Sequence, residues 1–145
     1  MMESLKVQEY MNHYPITFTP EMALVDASLR FLKTKQIGGP VIDHNHKLLG
    51  FISESDVLSK MLDTIYYNEL TAYVSDIMRK EVLSVKPYDS ILELAQGMLK
   101  SKPKLYPVVD DEGTLLGTIS RNEVLQAFDT HRRATLALDK EHAAM

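Results

Sequence analysis

The sequence predicts an α+β protein in which one β-α-β-β-α unit occurs twice and the two copies pack with pseudo-twofold symmetry. A glycine-to-acid motif at residues 50–56 returns 67 residues later at 117–123. Shifting the chain along itself by that spacing aligns residues 7–58 with 74–125, and 16 of the 52 pairs are identical. The same order of helical and strand patterns is found in both copies. One supersecondary unit has therefore been duplicated.

Composition limits the classes of protein that this chain can represent. Its 145 residues, 45% of them hydrophobic, suffice for one compact domain or for two half-sized units that share a core. A net charge of -4 does not predict a basic face for nucleic acid. The lack of cysteine excludes disulfides and fits a reducing compartment. No apolar run approaches the roughly 20 residues of a spanning helix, so we expect a cytoplasmic protein without nucleic-acid or membrane partners.

The first unit begins with a short helix predicted over residues 5–12 and an extended piece at 16–18. Residues 19–21 offer a threonine N-cap, a proline for the first turn and an acid that suits the helix dipole. We expect a helix from there to near Gly38, with one apolar face. The predicted apolar positions of this helix are Leu24, Ala27, Phe31 and Leu32.

A hairpin and a second helix complete the first unit. Two apolar strands are predicted at residues 40–43 and 48–52, with a polar turn between them. Ser53 then begins a helix that continues toward Leu70. The predicted apolar positions of this second helix are Val57, Leu58, Met61, Leu62 and Ile65.

The second unit repeats this order. We expect an extended piece at residues 82–85, a helix over 89–101, strands at 106–110 and 115–120, and a final helix from Ser120 toward Leu138. The predicted boundaries are a first domain with its N-terminal helix at 1–66, a linker at 67–73, a second domain at 74–128 and a helical extension at 129–145.

Each unit alone has too small a sheet to be stable without a covering layer. The two copies should therefore pack face to face. This arrangement creates two equivalent clefts between the copies, one for each glycine-to-acid motif.

The repeated motif has a structural and a functional interpretation. Ser53 with Asp56, and Ser120 with Glu123, match the capping box of a helix start, and the glycines would allow close strand packing. Alternatively, the helix N-terminus binds an anion and the acid accepts hydrogen bonds from a vicinal diol such as ribose. Apolar walls would then enclose a flat ring. The predicted walls are residues 37–41 and 105–108, which include Ile37, Gly39, Pro40, Val41, Leu105, Tyr106, Pro107 and Val108.

The segments at residues 37–43 and 50–56, repeated at 104–110 and 117–123, resemble the CBS-domain pair, or Bateman module. The resemblance covers about residues 7–128. It implies a regulatory module without catalysis or a required cofactor, which binds an adenosine-containing ligand (AMP, ADP, ATP or S-adenosylmethionine) between its two domains. It also implies frequent homodimerisation. Our hypothesis is that the ligand signals by a conformational or dimer change, which an unidentified protein partner or the dimer interface reads.

The same resemblance implies roles for individual residues. Asp56 matches the acid that holds the ribose hydroxyls, Ser53 matches the hydroxyl at the helix start, and Ser120 takes that position in the second copy. Thr17 and Ser84 match a strand position that often lines the cleft. Pro40, Val41, Pro107 and Val108 match the segments beside the base.

The second copy departs from the family pattern. Glu123 replaces the usual aspartate, and its extra methylene would extend the carboxylate into the ribose space. Beside the serines, Arg121 is suited to pair with a phosphate whereas Glu54 repels one, although Arg121 is equally consistent with a solvated side chain. We therefore predict two unequal sites, with Asp56 as the better ribose ligand and Arg121 as the better phosphate ligand.

Other chemistry is weakly represented. The five histidines are more consistent with solvated residues than with a metal site, and Lys100, Lys102 and Lys104 form a small basic cluster after a helix. The sequence lacks a P-loop and any nucleophile with an adjacent base, so no enzyme activity is predicted. The competing hypothesis is a structural dimerisation or protein-interaction module without a nucleotide. Residues 57–65 and the helix from Val124 onward are the predicted dimer contacts.

Overall fold

The computed structural model describes residues 5–68, 71–100 and 103–144. The first repeat contains α1 (Val7–Tyr10), α2 (Leu24–Thr34), β1 (Gly38–Ile42), β2 (Leu48–Ser53) and α3 (Glu54–Tyr67). The second contains α4 (Val74–Ile77), α5 (Ile91–Lys100), β3 (Leu105–Val109), β4 (Leu115–Ser120) and α6 (Arg121–Ala144). Each element of the second repeat begins 67 residues after its counterpart, which confirms the predicted α+β duplication.

Each repeat contains one two-stranded antiparallel sheet, and the two sheets share their irregularities. Strands β1 and β2 change register between Val41 and Ile42, and β3 and β4 do so between Val108 and Val109. The leading strands predicted at residues 16–18 and 82–85 are reduced to single parallel bridges, in which Phe18 pairs with Val41 and Val85 with Val108. A proline follows two residues after each bridge and has no N–H to extend the ladder.

Helix α2 is shorter at both ends than its sequence pattern predicts. It starts at Leu24 rather than near Thr19, because the carbonyls of Pro20 and Met22 accept hydrogen bonds from the start of α4. It ends at Thr34, and Lys35 follows in the left-handed conformation with φ of 57°. Of the predicted apolar face, Leu24, Ala27 and Phe31 are buried. The prediction for Leu32 is wrong, since its side chain is 75% exposed.

The short leading helices exchange places between the two repeats. Val7 of α1 is fully buried in the core of the second repeat, among Ile91, Val108 and Ile119. Val74 of α4 is fully buried in the core of the first repeat. Although α1 lies within the predicted first domain along the chain, it packs with the second.

Matching hydrogen bonds hold the exchanged helices. The N–H of Val7 donates to the carbonyl of Asp89 at 2.9 Å, and the N–H of Val74 donates to the carbonyl of Met22 at 2.9 Å. The hairpin turns also meet, since Leu48 N–H donates to Gly113 and Leu115 N–H donates to His46. The two repeats are thus related by a pseudo-twofold axis that passes between their hairpins.

Candidate ligand-binding cleft

A cavity of about 520 Å³ lies between the two repeats, close to the start of α3. Three segments form its walls: the hairpin of the first repeat, the chain that follows α4, and the chain that leads into β3. The lining residues are Ile37, Gly38, Phe51, Ser53, Arg79, Glu81, Val82, Leu83, Pro103, Lys104 and Leu105. The volume is within the range of about 300–1,000 Å³ that is usual for small-molecule sites.

The motif glycine allows the chain after α4 to cross the first hairpin at close range. Phe51 N–H donates to the Arg79 carbonyl at 2.9 Å, and Arg79 N–H donates to the Phe51 carbonyl at 2.8 Å. A Cβ atom on Gly50 would lie only 2.6 Å from the Arg79 carbonyl oxygen. Gly117 has the same role where Asn12 pairs with Thr118 in the other repeat. The glycines therefore serve the close packing that their structural interpretation requires.

Ser53 and Asp56 form a capping box at the start of α3. The Ser53 hydroxyl accepts from the Asp56 N–H at 3.0 Å, and the Ser53 N–H donates to Asp56 Oδ2 at 3.1 Å. This bonding holds the Asp56 side chain one turn into the helix, where it is half-buried. The structural interpretation of this pair is realised, and it fixes the position of the carboxylate.

Arg79 engages the same carboxylate with both arms of its guanidinium. Its Nε donates to Asp56 Oδ2 at 3.3 Å and its Nη2 donates to Oδ1 at 3.1 Å. Burial raises the pKa of Asp56, but hydrogen bonds from Arg79 and Ser53 outweigh this effect and hold the pKa below its ordinary value. The hydrogen bond to Asp56 raises the pKa of Arg79. The two groups are therefore a charged pair at neutral pH.

The cavity contains groups that suit an anion. Arg79 and Lys104 line it, and Glu81 is the acid among its lining residues. The N-terminus of α3 lies at Ser53 and contributes the partial positive charge of a helix dipole. The walls formed by Ile37, Phe51 and Leu105 are apolar.

The equivalent position beside Ser120, where the sequence predicts the second cleft, has different chemistry. There the Ser120 hydroxyl donates to the Glu123 carboxylate, a bond that the longer side chain permits. Asn12 and Tyr14 take the positions of Arg79 and Glu81, and the Asn12 side chain accepts from the Tyr14 N–H at 2.9 Å. The two clefts thus differ at the acid and at the cation that faces it.

The structure brings only part of the predicted site to the cavity. Ile37, Ser53 and Leu105 line it, and Asp56 reaches it through Arg79. Six predicted residues are instead buried within β1 and β3 and are not among the lining residues: Gly39, Pro40, Val41, Tyr106, Pro107 and Val108. These two strands are covered on both faces.

The remaining predicted residues are not among those that line this cavity. Thr17 is half-buried and its carbonyl accepts from Arg30, while the side chain of Ser84 is exposed. Ser120, Arg121 and Glu123 lie at the start of α6, at the positions equivalent to Ser53, Glu54 and Asp56. Arg121 is exposed, and its backbone N–H donates to the Lys104 carbonyl at 3.3 Å.

Sequence reasoning missed several residues that line the cavity, and Arg79 is the most important. It follows Met78, which is matched by an identical methionine in the first copy. The residue matched to Arg79 in the first copy is the uncharged Asn12. This change of charge at matched positions was the available signal. Lys104 belongs to the basic cluster and begins the second family segment, and Phe51 lies within the repeated motif. Neither these residues nor those at 81–83 were predicted to line this cavity, because local patterns do not reveal which copy a segment faces.

A metal-binding cluster and a membrane-spanning helix are both absent from the described residues. Within residues 5–68, 71–100 and 103–144, no three histidine, aspartate or glutamate side chains approach closely enough to ligate one metal ion. Over the same ranges, no helix has the length and apolar character needed to cross a bilayer.

Fold and cleft together define a tandem-repeat protein whose two halves share an intervening cavity. The family model of the CBS domain matches residues 7–63 and 74–130. The chain therefore belongs to the CBS-domain family and contains two of these domains.

Some relatives are similar in length to this chain, and others are much longer. The uncharacterized protein MJ1426 of Methanocaldococcus jannaschii is 32% identical over 144 residues, covering 79% of this chain and 86% of that protein. Inosine-5'-monophosphate dehydrogenase of Halalkalibacterium halodurans is 29% identical over 79% of this chain, but only 22% of the enzyme is matched. The shared part is thus a small fraction of that enzyme.

A solved structure supports the same assignment. CBSX2 of Arabidopsis thaliana, crystallised in complex with AMP, superposes with a TM-score of 0.76 and is 27% identical. The match covers 88% of this chain and 98% of the CBSX2 chain. The pairing of two CBS domains seen here is therefore an arrangement that is also found in a crystal structure.

Proposed function

We propose that this protein is a non-catalytic regulatory module that binds an adenosine-containing ligand in the cleft beside Ser53 and Asp56. The observation that carries the proposal is the cavity between the two CBS domains, which combines apolar walls, two cations and a carboxylate at a helix start. The complex of CBSX2 with AMP supports an adenine nucleotide as ligand. AMP is therefore the first compound to test, followed by ADP, ATP and S-adenosylmethionine.

Each part of such a ligand has a matching group in the cleft. The flat base suits the apolar side chains of Ile37, Phe51 and Leu105. The ribose diol suits Asp56, whose carboxylate is ionised and able to accept two hydrogen bonds. A phosphate suits Arg79 and Lys104 together with the N-terminus of α3.

Ligand binding would act on the relation between the two domains. The cavity walls come from both of them, so a bound ligand would favour one mutual orientation over others. A second binding surface that senses this orientation would then be coupled to the ligand. We include in the proposal that this surface is the homodimer interface or the surface that contacts an unidentified protein partner.

Exposed apolar side chains favour a role in association as the second candidate function. On α3, Leu58, Leu62 and Ile65 point away from the core, and α6 carries Leu125 at the position equivalent to Leu58. A homodimer through these helices is compatible with ligand sensing. It would also suit a purely structural module, so ligand binding has to be measured directly.

Replacement of Asp56 by alanine tests the proposed ribose contact. We expect AMP affinity to fall by about 10-fold or more, because hydrogen bonds to a charged group contribute about 1.5–3 kcal/mol each. Isothermal titration calorimetry gives the affinity. Thermal unfolding shows whether AMP stabilises the wild type, by roughly 2.7 kcal/mol at 100 times the dissociation constant.

The acid of the second cleft provides the matched control. Glu123→Ala removes a carboxylate at the equivalent helix position and should leave binding at the first cleft unchanged. Asp56→Asn keeps the shape of the cap and should still lose affinity. Wild-type affinity in both Asp56 variants would exclude the ribose role of this residue.

A further inference from the structure

We propose that Arg79 makes this cleft select anionic, phosphorylated adenosine ligands over uncharged or cationic ones, because its guanidinium must exchange Asp56 for a phosphate before the carboxylate can hold a ribose. This inference deepens the proposed function and rests on it. It assigns to Arg79 a specificity-determining role.

Competition for the Asp56 carboxylate is the first step. A carboxylate offers about four acceptor positions. Oδ1 accepts from Arg79 Nη2, and Oδ2 accepts from Arg79 Nε and from the Ser53 N–H. A vicinal diol needs two acceptor positions. Arg79 and a ribose therefore cannot both be satisfied by this carboxylate with the bonding that the structure shows.

Exchange requires only a rotation of the Arg79 side chain. Its backbone is fixed by the paired hydrogen bonds to Phe51, and Asp56 is fixed by the capping box. The Arg79 side chain itself is 66% exposed. Rupture of the pair lets the guanidinium return to water, although the Asp56 side chain is only 20% exposed, and this weakens the pair. The guanidinium can thus leave Asp56 without disturbing the fold.

The charge of the ligand decides whether this exchange is favourable. A phosphate accepts both arms of a guanidinium, so Arg79 gains a partner for the one it gives up. Lys104 lines the same cavity and adds a second cation. Adenosine offers no replacement partner. S-adenosylmethionine offers one carboxylate, but its sulfonium and ammonium groups are cations, as are Arg79 and Lys104. A phosphate, with more negative charge than a single carboxylate, is therefore the best replacement partner for Arg79.

The second cleft lacks an equivalent ion pair between an arginine and the motif acid. Asn12 takes the position of Arg79 there, and Glu123 accepts from Ser120 rather than from a guanidinium. Selection for phosphate through an exchanged ion pair is therefore a property of the first cleft.

Paired titrations with AMP and adenosine test the inference. We expect the wild type to prefer AMP by about 10-fold or more, which corresponds to one charge-assisted contact. Arg79→Ala should weaken AMP binding by about the same factor, while adenosine binds as well as before or more tightly, because Asp56 is no longer occupied. The preference for AMP should largely disappear. Arg79→Gln, which keeps much of the side chain without its charge, should give the same result.

Lys80→Ala is the matched control, since it removes one exposed positive charge next to Arg79 from a residue that does not line the cavity. It should retain the preference for AMP. Equal weakening of AMP and adenosine in both Arg79 variants, or an unchanged preference, would overturn the role of Arg79 while leaving the proposed function in place. Failure of the wild type to bind either ligand would overturn both.

Discussion

At the scale of single residues, the repeated aspartates of the two hairpin turns have a clear physical role. Asp43 Oδ1 accepts from the N–H groups of Asn45 and Lys47, and Asp110 Oδ1 accepts from those of Glu112 and Thr114. The bond from Lys47 is the main cause that lowers the pKa of Asp43, and the bond from Thr114 is the main cause that lowers the pKa of Asp110. Both carboxylates therefore stabilise the turns in their ionised form.

Stability should depend on pH through these two residues. A carboxyl group whose pKa is lower in the folded state contributes stability above its unfolded pKa, near 4, and this contribution is lost as pH falls through the folded pKa. Asp43→Asn with Asp110→Asn should lower stability at pH 7 and reduce the loss of stability between about pH 4 and pH 2. Urea unfolding across this range measures both effects. Asp139→Asn, on the exposed part of α6, is the control; if it and the double variant show the same pH dependence, the turn aspartates do not carry the effect.

At the scale of secondary-structure elements, glycines mark where one repeat crosses the other. Any side chain at Gly50 or Gly117 would collide with the backbone of the crossing segment, at Arg79 and Asn12 respectively. Gly97 differs, because it lies inside α5 and a methyl group added there would meet no heavy atom within 4 Å. Identical substitutions at these positions should therefore have opposite effects.

Alanine at each glycine gives the comparison. Gly50→Ala and Gly117→Ala should each destabilise the protein by about 1–3 kcal/mol, the range for overpacking. Gly97→Ala should stabilise it by roughly 0.5–1 kcal/mol, because alanine is the better helix former. Equilibrium denaturation measures all three. A neutral Gly50→Ala would mean that the crossing segment does not approach β2 as closely as described.

At the scale of the whole molecule, the exchanged helices make the two domains depend on each other. Val7 completes the second core and Val74 completes the first. Neither domain therefore has a complete core without a segment from the other. If a ligand binds in the cleft as proposed, it would act on this shared structure and through it on surfaces of both domains.

The outer faces of α3 and α6 predict the oligomeric state. We expect light scattering to give twice the chain mass of 16.5 kDa, because large apolar side chains on these helices, among them Leu58, Leu62 and Leu125, are otherwise exposed to water. Leu58→Glu combined with Leu125→Glu should yield a folded monomer. Leu99→Glu places the same charge at an exposed leucine of α5 and should leave the dimer intact. A monomeric wild type would remove the dimer from the proposed function.

The sequence by itself determined the duplicated α+β unit, the order of its elements and the helix start that holds Ser53 and Asp56. These features rest on periodicity and on residues within a few positions of one another, which the chain displays directly. Less of the site was predictable. The sequence predicted the position of Asp56 at the helix start, but it did not predict that Arg79 and residues 81–83 line the cavity.

Only the tertiary structure decided which repeat each segment covers. The apolar pattern of α1 is the same whether Val7 enters its own core or the other one, so the exchange leaves no local signal. The same reason applies to Arg79, which is 23 positions from Asp56 along the chain yet pairs with its carboxylate. Contacts of this kind arise when the two repeats close around their pseudo-twofold axis, and that closure sets the charge of the cleft.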